Sequence, residues 1–209
     1  MNIKWIAHSC FQIKTDEEKV IYTDPFKMEE NPVPADLILI SHDHYDHADM
    51  NSIKSIYSGK TRVVCPKTCA GKLKKFNPIG LALGESTSID EIGITAVPAY
   101  NPDKQFHPEG NRWNGYILEI AGKRLYHAGD TDVIPEMETL GPIDVAFLPV
   151  GDTYTMGFNE AVEACKIINP SICVPMHDWD KDLKVFSNLV KKSVPSVKVE
   201  ILKEKDLEI

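Results

Sequence analysis

His42-Asp43-His44-Tyr45-Asp46-His47 places three imidazoles and two carboxylates in six consecutive positions, directly after Asp36-Leu37-Ile38-Leu39-Ile40-Ser41. The earlier stretch is a continuous apolar run, which reads as a short buried strand. The donor cluster therefore sits where a rigid strand gives way to a loop or helix, the usual setting for functional side chains. Alternate positions of an extended chain share a face, so His42 and His44 stand side by side and can share one cation. Asp46 and His47 follow where the chain turns. They can address a neighbouring cation or another side of the same one. Imidazole with carboxylate suits zinc, and also manganese or iron. A polar turn that is merely rich in histidine is the plainer alternative. Three of the chain's 7 His within six positions weigh against it.

Strand-like stretches dominate around this cluster. They cover residues 3–7, 10–14, 19–23 and 37–41, followed by a helix with Asp49 as N-cap running to about residue 57. Residues 62–65 read as the next strand, and 68–76 as a short basic helix ended by Asn77-Pro78. A second strand-rich run covers 92–99, 115–120 and 124–127, with Ala121-Gly122 as a hairpin turn, and then 144–148. Phe158, Ala161, Val162, Cys165 and Ile168 recur at helical spacing, and Asn169-Pro170 ends that helix. A strand at 171–176, a helix at 183–192 and a strand at 198–202 complete the pattern. Strands then helices, twice over, suit two sheets packed face to face with helices outside. Periodicity alone supports only a mixture of α and β.

The length of 209 residues fits one domain spanning 1–209, or two tightly fused halves. Hydrophobic residues at 43% and charged residues at 26% are ordinary for a soluble globular protein. The net charge of −8 argues against a nucleic-acid partner, though bound dications can invert the local field for a small anionic substrate. The opening Met1-Asn2-Ile3-Lys4-Trp5 lacks a basic region leading into an apolar stretch, and no apolar run reaches membrane-spanning length. Five Cys is an odd number, most simply explained by reduced thiols in the cytoplasm. Cys65, Cys69 and Cys173 read as structural, whereas Cys10, close to His8, could reach a pocket. The expected partner is a small-molecule substrate, with no nucleic acid and no membrane. Assembly as a homo-oligomer stays open.

His42-x-His44-x-Asp46-His47 resembles the signature of the metallo-β-lactamase superfamily, and matching pieces follow in the family's order. Asp24, in Tyr22-Thr23-Asp24-Pro25, resembles the early Asp that buttresses the metal loop. Asp130, in His127-Ala128-Gly129-Asp130-Thr131, resembles the carboxylate that bridges two metals. His177, in Val174-Pro175-Met176-His177, resembles the last ligand. His8-Ser9-Cys10-Phe11 and Ala96-Val97-Pro98-Ala99-Tyr100 are similar to the small stand-alone hydrolases, including the ascorbate-6-phosphate lactonase-like branch.

The resemblance implies an α/β fold: a four-layer αββα sandwich of two mixed sheets with helices on both outer faces. It implies one or two divalent ions, with zinc first and manganese or iron as alternatives. Asp46, His47, Asp130 and His177 would hold one ion, and His42, His44 and Asp130 the other. Asp46 and Asp130 also carry the catalytic assignment. Asp24 would stand behind the ligands, accepting a histidine N–H and fixing its tautomer. The family places a further His before the bridging Asp, where this chain has Asn101, a poor zinc ligand. Either the His42–His44 site is then weak or empty, or His107 replaces the missing ligand; His107 could otherwise bind substrate, shuttle a proton or be a bystander. His8 is either a packed, hydrogen-bonded His or a contact to ligand or substrate. Loop residues 101–113 are long and polar, as lids and binding loops often are. Lys104 or Arg112 there could meet an anionic group, although a solvated surface charge is the plainer reading of each, and Tyr154 could touch substrate.

The implied activity is hydrolysis of a small ester, lactone or phosphoester by a metal-activated water. The alternative is a single-iron oxygenase or redox enzyme of the same fold.

Overall fold

In the computed structural model, which describes residues 1–203 and 205–209, the chain falls into two units. One comprises Met1–Ala82 with Leu202–Ile209, the other Leu83–Ile201.

In the first unit, β1 (Asn2–Ala7), β2 (Cys10–Lys14) and β3 (Val20–Thr23) pair antiparallel in sequence order. β4 (Leu37–Leu39), β5 (Arg62–Pro66) and β6 (Ile79–Leu81) then add in parallel. β3 and β4 are buried along their whole length, which explains why β4 reads as an unbroken apolar run instead of an alternating one. α1 (Met50–Ile56) connects β4 to β5. Its N-cap Asp49 accepts hydrogen bonds from the Asn51 and Ser52 backbone N–H groups, satisfying two donors that a helix start leaves bare.

Residues 68–76 differ from the helix expected there. Cys69, Leu73 and Phe76 are buried at helical spacing. The backbone bonds that form span three residues (Lys72 to Cys69, Phe76 to Leu73), and only Lys74–Phe76 makes a 3-10 turn. Gly71 costs an α-helix about 1 kcal/mol relative to Ala, and left-handed Asn77 (φ 47°) closes the turn.

The second unit begins with β7 (Ser86–Ile89), β8 (Ile92–Pro98), β9 (Asn114–Ile120) and β10 (Lys123–His127), paired antiparallel. β11 (Val145–Pro149), β12 (Ile172–Met176) and β13 (Lys198–Val199) continue in parallel. Ala121 and Gly122, at φ 50° and 76°, turn the chain between β9 and β10, as a two-residue hairpin with positive φ at both positions requires. α2 (Phe158–Ile168) and α3 (Leu183–Ser193) are the crossover helices. α2 buries Ala161, Val162, Ala164, Cys165 and Ile168 and ends on left-handed Asn169. The expected strand 198–202 shortens to β13. β14 (Leu207–Glu208) belongs to the first unit and pairs with β1. β6, β7 and β14 are short, and Gly80 and Ser86-Thr87-Ser88 supply no apolar alternation, so sequence pattern misses them.

Among the described residues, each sheet makes three antiparallel pairings and then three parallel ones. In open α/β sheets ligands bind beyond the carboxyl ends of the strands. In the first unit Asp24 follows β3, and Ser41 to His47 follow β4. In the second, Asp130 follows β10, Gly151 follows β11 and His177 follows β12. The His42–His47 donors, Asp130 and His177 thus leave strands whose carboxyl ends are buried, whereas His8 follows the half-buried β1.

Candidate functional site

In the first unit one buried carboxylate organises the donor loop. Asp24 Oδ1 accepts the Ser41 backbone N–H at 2.7 Å. Its Oδ2 accepts both the Ser41 hydroxyl at 2.7 Å and His47 Nδ1–H at 2.8 Å. Because the Ser41 proton goes to Asp24, Ser41 Oγ can only accept from His42 Nδ1, 2.9 Å away. Both His42 and His47 are therefore protonated on Nδ1 and present the Nε2 lone pair. Asp24 sits at φ 40°, a conformation that costs a non-glycine residue energy and persists only where surroundings enforce it.

His42 Nε2 lies 3.1 Å from His44 Nδ1, so the two imidazoles meet nitrogen to nitrogen. His47 stays in the turn through its N–H and that of Ala48, both bonded to the His44 carbonyl. His8 Nε2 stands 3.3 Å from Asp46 Oδ2, and its ring lies edge-on to His47. Burial raises the Asp46 carboxyl pKa, but the hydrogen bond from His8 and the electrostatic influence of the neighbouring His47 and His8 rings outweigh it, so the net shift is downward. Asp46 is thus held as an ionised donor.

Cys10 does not join this set. Its thiol packs against Met28 Sδ at 3.9 Å, and burial pushes it up to about 12.

In the second unit the centre is Asp130. Its Oδ2 lies 3.1 Å from His107 Nε2 and 3.1 Å from His177 Nε2, all three side chains being buried. His107 Nδ1 faces two oxygens, Asn101 Oδ1 at 2.8 Å and the Tyr154 carbonyl at 3.2 Å. A backbone carbonyl only accepts, so Nδ1 carries the proton. With Nδ1 protonated, an Nε2 lone pair aimed at a carboxylate oxygen is repulsive unless a cation or proton stands between them. This is the environment a divalent ion fits, and the donor chemistry of both units suits one.

Asn101 is therefore placed as the acceptor that orients His107. Its own N–H donates to the His107 carbonyl at 2.7 Å, closing the loop that brings the imidazole to Asp130. Lys104 does not present a charge to solvent as expected. Its ammonium donates to Asp132 Oδ1 and the Thr155 carbonyl, each at 2.6 Å, and to the Asp152 carbonyl at 3.2 Å. It ties the 101–113 loop to the one after β11. Arg112 is exposed and left-handed at φ 51°.

Three features escape sequence reasoning. Ser41 immediately precedes the donor motif, yet a lone Ser carries no signal. Gly151 is required by close approach: a Cβ there would lie 2.6 Å from the His177 carbonyl and 2.7 Å from its Nδ1. Phe106 and Trp179 join Tyr154 in an exposed aromatic cluster, assembled from loops too far apart in sequence to be linked by pattern.

Comparison with known proteins identifies the family and the fold. Residues 2–177 match the family model described as "Beta-lactamase superfamily domain". A UPF0173 metal-dependent hydrolase from Thermococcus kodakarensis is 37% identical over 91% of this chain and 92% of its own. One from Archaeoglobus fulgidus is 31% identical over 97% and 96%. The crystal structure of a Parabacteroides distasonis protein superposes with a TM-score of 0.88 at 36% identity, covering 95% of this chain and 91% of that one. The likeness establishes the α/β metallo-β-lactamase sandwich as the fold class.

Proposed function

The chain belongs to the β-lactamase superfamily and, within it, to the UPF0173 metal-dependent hydrolases, and from that premise we propose that it hydrolyses a small ester, lactone or phosphoester. The observation that carries the reading is the buried Asp130 oxygen faced by two imidazole nitrogens, one with its proton fixed on the far side of the ring. The family pattern assigns Asp46, His47, Asp130 and His177 to one ion, and His42, His44 and Asp130 to a second. We propose His107 for the remaining position of the second set, with Asn101 holding its tautomer. Divalent ions, zinc first and manganese next, supply Lewis acidity toward a substrate oxygen and a water acidic near neutrality.

The chain's own residues do the positioning. Asp24 fixes His47 directly and His42 through Ser41, so neither ring can flip its tautomer without breaking a buried hydrogen bond. His8 keeps the Asp46 carboxyl ionised. Asn101 and the Tyr154 carbonyl hold the His107 proton away from Asp130. The −8 charge supports a small-molecule substrate over a nucleic acid, and five buried cysteines outside any disulfide support a cytoplasmic setting.

Metal analysis of protein purified without added metal, followed by a screen of lactones, thioesters and phosphodiesters, tests the reading. Zinc or manganese with turnover of one of these classes is expected. Iron with thiol-dependent oxygen uptake and no hydrolysis would overturn it in favour of an oxygenase. Among the described residues no helix is long and apolar enough to cross a membrane.

A further inference from the structure

Large apolar side chains of the second unit are mostly buried, but three aromatic rings near its donor residues are not. Phe106 is 44% exposed, Tyr154 38% and Trp179 51%. They come from three separate loops: 101–113, the segment after β11, and the segment after β12. Phe106 and Tyr154 meet edge to face with centroids 4.4 Å apart, and Tyr154 and Trp179 lie 6.0 Å apart. Trp179 also stands edge-on to His177 at 5.6 Å, while the Tyr154 carbonyl holds His107. The cluster is thus continuous with His107 and His177.

The backbone there is costly to build. His177, Trp179 and Asp180 sit at φ 52°, 47° and 58°, and Asp152 at 82°. Such conformations in residues other than glycine concentrate at ligand-binding segments. Exposed rings with no structural need for exposure point the same way. The two lysines bordering the cluster are already committed, Lys104 to Asp132 at 2.6 Å and Lys181 to Asp152 at 3.4 Å. Neither offers an unshared positive charge to an anionic group, so an uncharged ring is the occupant these surroundings suit.

We propose that Phe106, Tyr154 and Trp179 form a subsite for a planar, uncharged aromatic group of the substrate, which makes them specificity-determining residues. The assignment rests on the hydrolase reading above. A substrate ring entering the cluster makes edge-to-face or offset contacts with side chains already held near that geometry.

The test compares binding of phenylacetate and acetate to the metal-loaded protein by titration calorimetry. The two share a carboxylate and differ by the ring. Burial of a phenyl group predicts about tenfold tighter binding of phenylacetate. Trp179→Ala should bring the ratio toward one, and so should Phe106→Leu, which keeps apolar bulk without the ring. Equal affinities for the two probes in the parent protein would overturn the proposal. So would a ratio unchanged in both variants while Trp179→Ala lowers the mass in sedimentation, since that places the cluster in a contact between copies of the chain. If no ester, lactone or phosphoester is turned over yet the phenylacetate preference holds and is lost in the variants, the subsite stands and the hydrolase reading fails. Hydrolysis without any ring preference means the reverse: the hydrolase reading stands and the subsite does not.

Discussion

A single methyl group added at Gly151 should misplace His177. An ideal Cβ there lies 2.6 Å from the His177 carbonyl oxygen, 2.7 Å from His177 Nδ1 and 2.8 Å from Trp179 Cδ1, against 3.4 Å or more for ordinary contact. The neighbours must therefore retreat by roughly 0.7 Å, taking about 3.4 Å as the nearest comfortable approach in a close-packed interior. None of them is the loose end of a flexible side chain. One is backbone, at a residue already strained at φ 52°, and two are ring atoms. Overpacking of this kind costs about 1–3 kcal/mol, which in a chain of this size lowers Tm by roughly 5 °C. A displacement approaching 1 Å at a reacting centre costs on the order of tenfold to a hundredfold in rate. Gly151→Ala should accordingly show reduced metal per chain by mass spectrometry after dialysis, a lower Tm by calorimetry, and depressed kcat/KM on whichever substrate the parent turns over. Gly110→Ala is the control, because a Cβ there meets nothing within 4 Å. A Gly151→Ala protein that matches the parent in metal content and Tm would refute the reasoning, since the close approach would then place no constraint on His177.

Replacing Asp24 by Asn turns one of its two accepting oxygens into an N–H donor, so it can no longer accept from the Ser41 backbone on one side and from the Ser41 hydroxyl and His47 on the other. Metal affinity should fall by about 10–100-fold, as for other residues that orient ligands; a chelator competition that shows no change would count against this role. His107→Ala should lower the number of ions bound per chain, and unchanged stoichiometry with unchanged turnover would make His107 a bystander. All five thiols are buried, with Cys10 and Cys65 pushed up to about 12 chiefly by desolvation. The native protein should therefore resist a disulfide reagent at a pH of about 8, below those raised values, and expose all five sites only in guanidinium, a difference read by absorbance.

How much of this was legible in sequence depends on how locally each role is set. His42, His44, Asp46 and His47 announce themselves because a strand end and a six-residue spacing confine them to one place. Asp130 and His177 are lone residues after strands, and only a family pattern marks them. The expected helix at 68–76 failed for a related reason: burial at helical spacing is compatible with successive three-residue turns, and side-chain pattern does not report which hydrogen bonds close. The matched run of antiparallel and then parallel pairings in both sheets is hidden likewise, since pairing direction leaves little trace in residue type. Asn101 shows the limit most plainly. In sequence it stands where a ligand histidine is expected and so reads as a lost donor. In the structure its N–H closes the loop onto the His107 carbonyl and its side-chain oxygen takes the His107 proton. The imidazole six residues later is then aimed at Asp130 with the lone pair a metal needs. A donor lost at one position and an orienting acceptor gained there are the same substitution. Only the three-dimensional course of the loop separates them.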